Sequence, residues 1–122
     1  MNNAGTPWPT EIRLRKDRKA LAVRFDDGVD HELAAEMLRV LSPSAEVQGH
    51  SPDQRRTVPG KRNVLIAAVD TVGNYAVRLT FDDGHNTGLY TWTYLRKLGD
   101  RREQLWSEYL ADLRAKGMSR DG

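Results

Sequence analysis

The stretch NYAVRLTFDDGHNTGLYTWTYL, Asn74 to Leu95, decides the fold. Tyr75, Val77, Leu79 and Phe81 alternate with Ala76, Arg78 and Thr80, the period of a strand with one buried face. Asp83-Gly84 then supplies a pair that tolerates positive φ, as a two-residue hairpin turn requires. A second short strand follows, and Leu89, Tyr90, Trp92 and Tyr94 bring aromatic area to the start of a helix. Upstream, Asn63 to Val69 is an apolar strand expected at the centre of the sheet, joined by a turn at Thr71 to Asn74. Downstream, Arg101 to Lys116 reads as a final helix with Leu105, Trp106, Tyr109, Leu110 and Leu113 on one stripe. Gly117 is placed to stop it.

The first half echoes the second. Glu11 to Lys16 and Lys19 to Phe25 read as strands joined at Asp17-Arg18, and Asp26-Asp27-Gly28 turns the chain again. His31 to Leu41 is expected to be a helix with Leu33, Met37, Leu38 and Leu41 facing in, stopped by Pro43. Phe25-Asp26-Asp27-Gly28 thus matches Phe81-Asp82-Asp83-Gly84, each ahead of a histidine and a helix. Two copies are too few for a solenoid, and turn chemistry alone gives such a likeness. Residues 1–10, with Pro7 and Pro9 around Trp8, read as an extended arm whose indole is expected to dock on the body. Residues 42–62 lack periodicity and exceed the ~12–15 residues usual for structureless loops, so the segment is expected to be mobile or functional. The expected architecture is α+β, a single domain with a small, mainly antiparallel sheet covered by helices.

Composition narrows the chemistry. At 122 residues, 39% hydrophobic and 30% charged, the chain is long enough for one core without staples. It has no cysteine, which excludes disulfides, thiolate metal sites and cysteine nucleophiles, and fits a reducing compartment. No apolar run approaches the ~20 residues of a membrane span, and Met1 to Thr10 lacks a secretory pattern. A cytoplasmic location with no membrane partner is expected. Basic residues cluster at Arg13 to Lys19, Arg55 to Arg62 and Arg96 to Arg102, but acidic residues interleave and the net charge is only +2. That pattern is a solvated surface rather than a nucleic-acid track.

The candidate site residues are few. The carboxylate pairs Asp26/Asp27 and Asp82/Asp83 precede turn glycines, where local hydrogen bonding favours Asp. Neither continues as a calcium loop. Pro59-Gly60-Lys61-Arg62 lacks the glycine and hydroxyl of a phosphate loop, at Arg55 and Arg62. His31, His50 and His85 share no ligand spacing; His85, beyond the hairpin, is the best-placed imidazole, and His50 sits in the long segment. Ser42 and Ser44 beside a distant His50 make no nucleophile–base pair. Aromatics in the second half suit either a core or a homodimer interface.

These residues resemble a known family. Asn74 to Arg78 with Phe81-Asp82-Asp83-Gly84-His85 and Thr87 to Trp92, together with Leu38-Arg39 and Ser42 to His50, are similar to the gamma-butyrobetaine hydroxylase-like N-terminal domain. The resemblance covers most of the chain and implies such a domain over residues 11–98, with residues 99–117 a C-terminal helix on the same core. In the carnitine-pathway dioxygenases this domain precedes a catalytic barrel and holds a structural zinc through three cysteines and a histidine. The cysteine positions match Ser42, Ser44 and Val47, and the histidine matches His85. The barrel and its iron ligands have no counterpart, so hydroxylase activity does not transfer. A similar domain is appended to plastid Mrp-type ATPases that carry iron–sulfur clusters.

The resemblance therefore implies a non-catalytic accessory or protein-interaction module linked to iron–sulfur or iron-enzyme maturation. Its partner would be an iron–sulfur carrier or iron-dependent enzyme, and its contact surface His50, Arg55, Arg56, Lys61 and Tyr90. The alternative is a metal-binding protein using His85, with His50 or a partner subunit, for which zinc and iron are the candidates.

Overall fold

The computed structural model describes residues 7–122, so residues 1–6 of the expected arm lie outside the described residues. The described chain runs β1 (Pro9–Leu14), β2 (Ala20–Phe25), β3 (Asp30–Ala34), α1 (Ala35–Val40), α2 (Ala45–Gln48), a 3-10 turn (Pro52–Gln54), β4 (Ile66–Val72), β5 (Ala76–Phe81), β6 (Leu89–Thr91), α3 (Trp92–Asp100) and α4 (Arg102–Ala115). The strands make two three-stranded antiparallel sheets, β1-β2-β3 and β4-β5-β6. This is the expected α+β architecture, its strands divided between two small sheets.

The echo in sequence is an echo in structure. After β2 and after β5 an Asp-Asp-Gly triplet turns the chain, with Gly28 at φ +88° and Gly84 at φ +92°, values that a side chain resists. The Phe25 N–H donates to Val29 C=O at 2.9 Å and the Phe81 N–H to His85 C=O at 3.0 Å. The turns therefore hold three residues each, where two were expected at Asp83-Gly84. Asp26 N–H donates to Trp8 C=O and Asp82 N–H to Leu65 C=O, at 2.8 and 2.9 Å. At the strand-to-helix corners, Ala35 N–H reaches Lys19 C=O and Trp92 N–H reaches Tyr75 C=O. Even the register irregularities correspond, between Pro9 and Glu11 in β1 and between Ile66 and Ala68 in β4. Each helix then grips the turn of the opposite unit. Arg39 of α1 pairs with Asp83 at 2.8 Å, and Arg96 of α3 pairs with Asp27 at 2.9 Å.

One core joins the units. Leu21, Val23, Phe25 and Leu33 of the first sheet meet Val77, Leu79, Phe81 and Tyr90 of the second, with Leu38, Leu95 and Leu98 from the helices. Burying each such side chain is worth roughly 1.5–3 kcal/mol, which is why the central strands β2 and β5 carry the alternating pattern. The Thr91 hydroxyl caps α3 by accepting from the Tyr94 N–H at 3.1 Å. Helix α4 lays Tyr109 and Leu113 against Val40. It ends as expected at Gly117, where the Met118 N–H reaches Leu113 C=O and the Gly117 N–H reaches Arg114 C=O.

Several local expectations are corrected. The helix expected over His31 to Leu41 begins only at Ala35, because His31 and Leu33 pair with Val23 and Leu21 as strand β3. Strand β4 begins at Ile66 and is an edge, while β5 is central. Tyr75 precedes β5 and is exposed rather than buried. Pro9 and Thr10 belong to β1, and Trp8 is joined to the body through its backbone and is 39% exposed. Residues 42–62 are not structureless: they contain α2 and the 3-10 turn, and the Arg56 N–H donates to Val47 C=O at 2.7 Å. No helix among the described residues is long and apolar enough to cross a membrane.

Candidate functional site: a histidine clasp beside a cationic cleft

The corner after α1 and the turn after β5 meet at His85. Pro43 keeps α1 from continuing past Val40 and its cap Leu41, and Ser42 and Ser44 are buried, with no and 5% exposure. His85 Nε2 lies 2.9 Å from Ser42 Oγ and 3.4 Å from Ser44 Oγ. Its Nδ1 lies 3.3 Å from Glu46 Oε1, which also accepts from the Thr87 hydroxyl at 2.8 Å. Ser42 Oγ accepts the Ser44 N–H, so its own proton is free for His85 Nε2. The network fits a neutral imidazole protonated on Nδ1. Gly88 belongs to the same clasp, since a Cβ there would overlap Ser42 Oγ and crowd Pro43.

Burial pushes the His85 pKa below its ordinary value, and the Arg39 charge adds to this against the opposing pull of Glu46 and Asp83. The sign follows. The unfolded histidine takes up its proton near pH 6.5 while the folded one resists it, so the clasp is unpenalised above that pH and stability falls as pH drops below it. A His85→Gln variant is expected to lose this slope below about pH 6.5, as chemical denaturation over a pH series would show. An unchanged slope would assign it to another group.

Ser42, His85 and Glu46 are connected as nucleophile, base and orienting acid are in hydrolases. Ser42, however, has no exposed surface, and it does not line the adjacent cleft, so its hydroxyl meets no substrate there. The arrangement is a clasp between two segments. Nor do these residues fit tetrahedral zinc. Two neutral hydroxyls stand where thiolates would be needed, Val47 carries no donor, and His85 Nε2 already lies on Ser42. Among the described residues no group of three or more His, Asp or Glu side chains suits a metal ion.

Beside the clasp lies a cleft of about 470 Å³. Its charged walls are Arg39, Arg56 and Lys61 against Asp83 and Glu46. Asp83 accepts from Arg39 Nε at 2.8 Å, from Lys61 Nζ at 2.6 Å and from the His85 N–H at 3.0 Å. Burial raises the Asp83 pKa, but Lys61, the His85 N–H and Arg39 outweigh it and hold the carboxyl well below the usual range. Asp83 therefore stays ionised. Arg39, only 13% exposed, uses Nε alone, and its Nη1 is buried with no acceptor among the described residues.

Of the residues expected in a site, the structure brings together His85, Arg56 and Lys61. His50 is exposed and outside the cleft lining, its N–H on Gln54 Oε1 at 2.8 Å. Arg55 is likewise exposed and apart from the lining. His31 is held elsewhere, 2.8 Å from Asp100. Tyr90 offers no contact surface at all: it is 0% exposed, and its hydroxyl donates to Leu38 C=O. Sequence reasoning missed Arg39, Glu46 and Asp83 as members of the cleft. A larger, more apolar hollow between α1 and α4 contains Trp106 and Leu110, but Glu36 and Arg120 there close on each other at 2.6 Å, away from the clasp.

Known proteins bear on this geometry. The profile of the family described as gamma-butyrobetaine hydroxylase-like, N-terminal, matches residues 12–96. Two solution structures determined by NMR are similar at 48% and 47% identity, each with a TM-score of 0.82. The matches cover 96% and 98% of this chain and 92% and 89% of theirs. A crystal structure from Acidithiobacillus ferrooxidans, of a protein of unknown function in the DUF971 family, is 42% identical with a TM-score of 0.63. That match covers 75% of this chain and 91% of the other. No curated protein matches.

Proposed function

Since the chain belongs to the gamma-butyrobetaine hydroxylase-like N-terminal family, we propose that it is a non-catalytic module that acts in the cytoplasm by binding another protein. The partner is an iron–sulfur carrier or an iron-dependent enzyme, and the module assists its maturation. One observation carries this reading. The residues of the family signature close the Ser42–His85 pair against solvent, while the adjoining wall displays Arg56 and Lys61. Buried clasp and displayed charge suit recognition better than turnover.

The test is reciprocal capture. The chain and an Arg55→Glu/Arg56→Glu variant are used as bait, and bound proteins are compared by quantitative mass spectrometry. The reading expects a defined partner captured by the wild type and lost, at least about tenfold, from the variant. Equal capture by both would remove this surface. The competing reading, a metal protein using His85 with His50 or a partner subunit, has to displace Ser42 from Nε2. Protein purified without chelator is expected to hold well under one zinc or iron per chain, unchanged in His85→Ala. Stoichiometric metal lost in that variant would reverse the choice.

A further inference from the structure

The segment after the 3-10 turn passes along the cleft as an unpaired edge. Arg55 is extended, at φ −65° and ψ 135°, and Val58 is held to the extended region by Pro59 behind it. The Arg56 N–H is taken by Val47 C=O at 2.7 Å and the Val58 C=O by the Tyr109 hydroxyl at 2.5 Å. Thr57 lies between these two anchored groups. Neither Thr57 backbone group has a hydrogen-bond partner among the described residues. Thr57, which lines the cleft, thus offers an unpaired backbone donor and acceptor beside the cationic wall.

The charges select what lies there. Arg39, Arg56 and Lys61 face Asp83 and Glu46, and Arg39 keeps unused donors. One further carboxylate balances this set. We propose that the cleft receives an extended acidic peptide of the partner protein, its backbone paired with Thr57 and one carboxylate side chain between Arg56 and Lys61. This rests on the module reading and supplies the chemistry of its partner. The docking mode is strand addition at an exposed edge, with main-chain bonds giving affinity and the charged wall giving specificity.

The probes are a blocked heptapeptide, Gly-Thr-Val-Glu-Val-Thr-Gly, and its counterpart with Gln for Glu. Each is titrated into the nitrogen-15-labelled full chain and followed by NMR. The Glu peptide is expected to shift the amides of Thr57 and of the Asp83–His85 turn, with the Gln peptide about tenfold weaker. Arg56→Glu, at an exposed position, should abolish the shifts while its remaining spectrum matches the wild type. Equal affinity for both peptides, no shift at millimolar peptide, or tighter binding of inorganic phosphate or a single-stranded oligonucleotide overturns the acidic occupant. If partner capture still depends on Arg56 while the titration is silent, the module stands and the acidic peptide falls. If capture ignores Arg56 but the Glu peptide binds at Thr57, the cleft stands as a peptide site and its role in capturing the partner falls.

Discussion

A chain combining Ser42→Cys, Ser44→Cys and Val47→Cys is expected to bind one zinc ion per molecule, where the natural chain is expected to hold well under one. The reason lies in the clasp. Thiolate and imidazole ligands of one tetrahedral zinc, with bonds of about 2.3 and 2.0 Å, lie roughly 3.5 Å from each other. Ser42 Oγ and Ser44 Oγ already stand 2.9 and 3.4 Å from His85 Nε2, and Val47 lines the same cleft as His85. Thiols ionise on metal binding where hydroxyls do not, so the substitution supplies three anionic donors to a neutral imidazole. Apparent binding energies of structural zinc in small peptides are about 10–16 kcal/mol. Even a fraction of that would raise the thermal midpoint in a zinc-dependent way that a chelator reverses. Metal analysis and the absorption spectrum of the cobalt-substituted protein would read the site. A triple variant without metal, or one whose zinc survives His85→Ala, would show that the clasp does not place these side chains around a common point.

The second large effect is expected at Tyr90. Its ring is wholly buried between the sheets, and its hydroxyl donates to Leu38 C=O at 2.5 Å. Tyr90→Ala removes a core aromatic and leaves a cavity, at a cost of about 4 kcal/mol. That is a large share of the 5–15 kcal/mol typical of a domain. At about 4 °C per kcal/mol the thermal midpoint should fall by roughly 15 °C. Tyr90→Phe keeps the ring and leaves only the Leu38 carbonyl unsatisfied, for a loss of about 1–2 kcal/mol. Denaturant titration of both variants checks the order. Because Tyr90 touches no solvent, the Phe variant should capture the partner as the wild type does. Lost capture with unchanged stability would return Tyr90 to the interaction surface.

What sequence alone made legible, and what it did not, divides by range. Alternation in β5 and the positive-φ glycines at 28 and 84 are local, and both were readable. Residues 31–34 were not. His-Glu-Leu-Ala reads as helix by propensity, and only pairing of His31 and Leu33 with β2 makes it a strand. Tyr90 on a three-residue strand gives no periodicity with which to tell core from surface. The clasp and the Arg39–Asp83 pair each join residues more than forty positions apart in sequence, so no spacing rule could find them. The family resemblance came nearest. It grouped Ser42, Ser44, Val47 and His85 as one site, although it described them as the vacated places of a metal. That the vacancy is closed by hydroxyl-to-imidazole hydrogen bonding became visible only in three dimensions.

The exchanged arginines have a consequence for cooperativity. Arg39 leaves the first unit to hold the turn of the second, and Arg96 returns the grip. Neither half can come apart without releasing an ion pair and a shared apolar face that belong equally to the other. The molecule therefore lacks a weak half from which to open. Amide protons of β2 and β5 should exchange with solvent through one global event and report the same free energy, although they lie in different sheets.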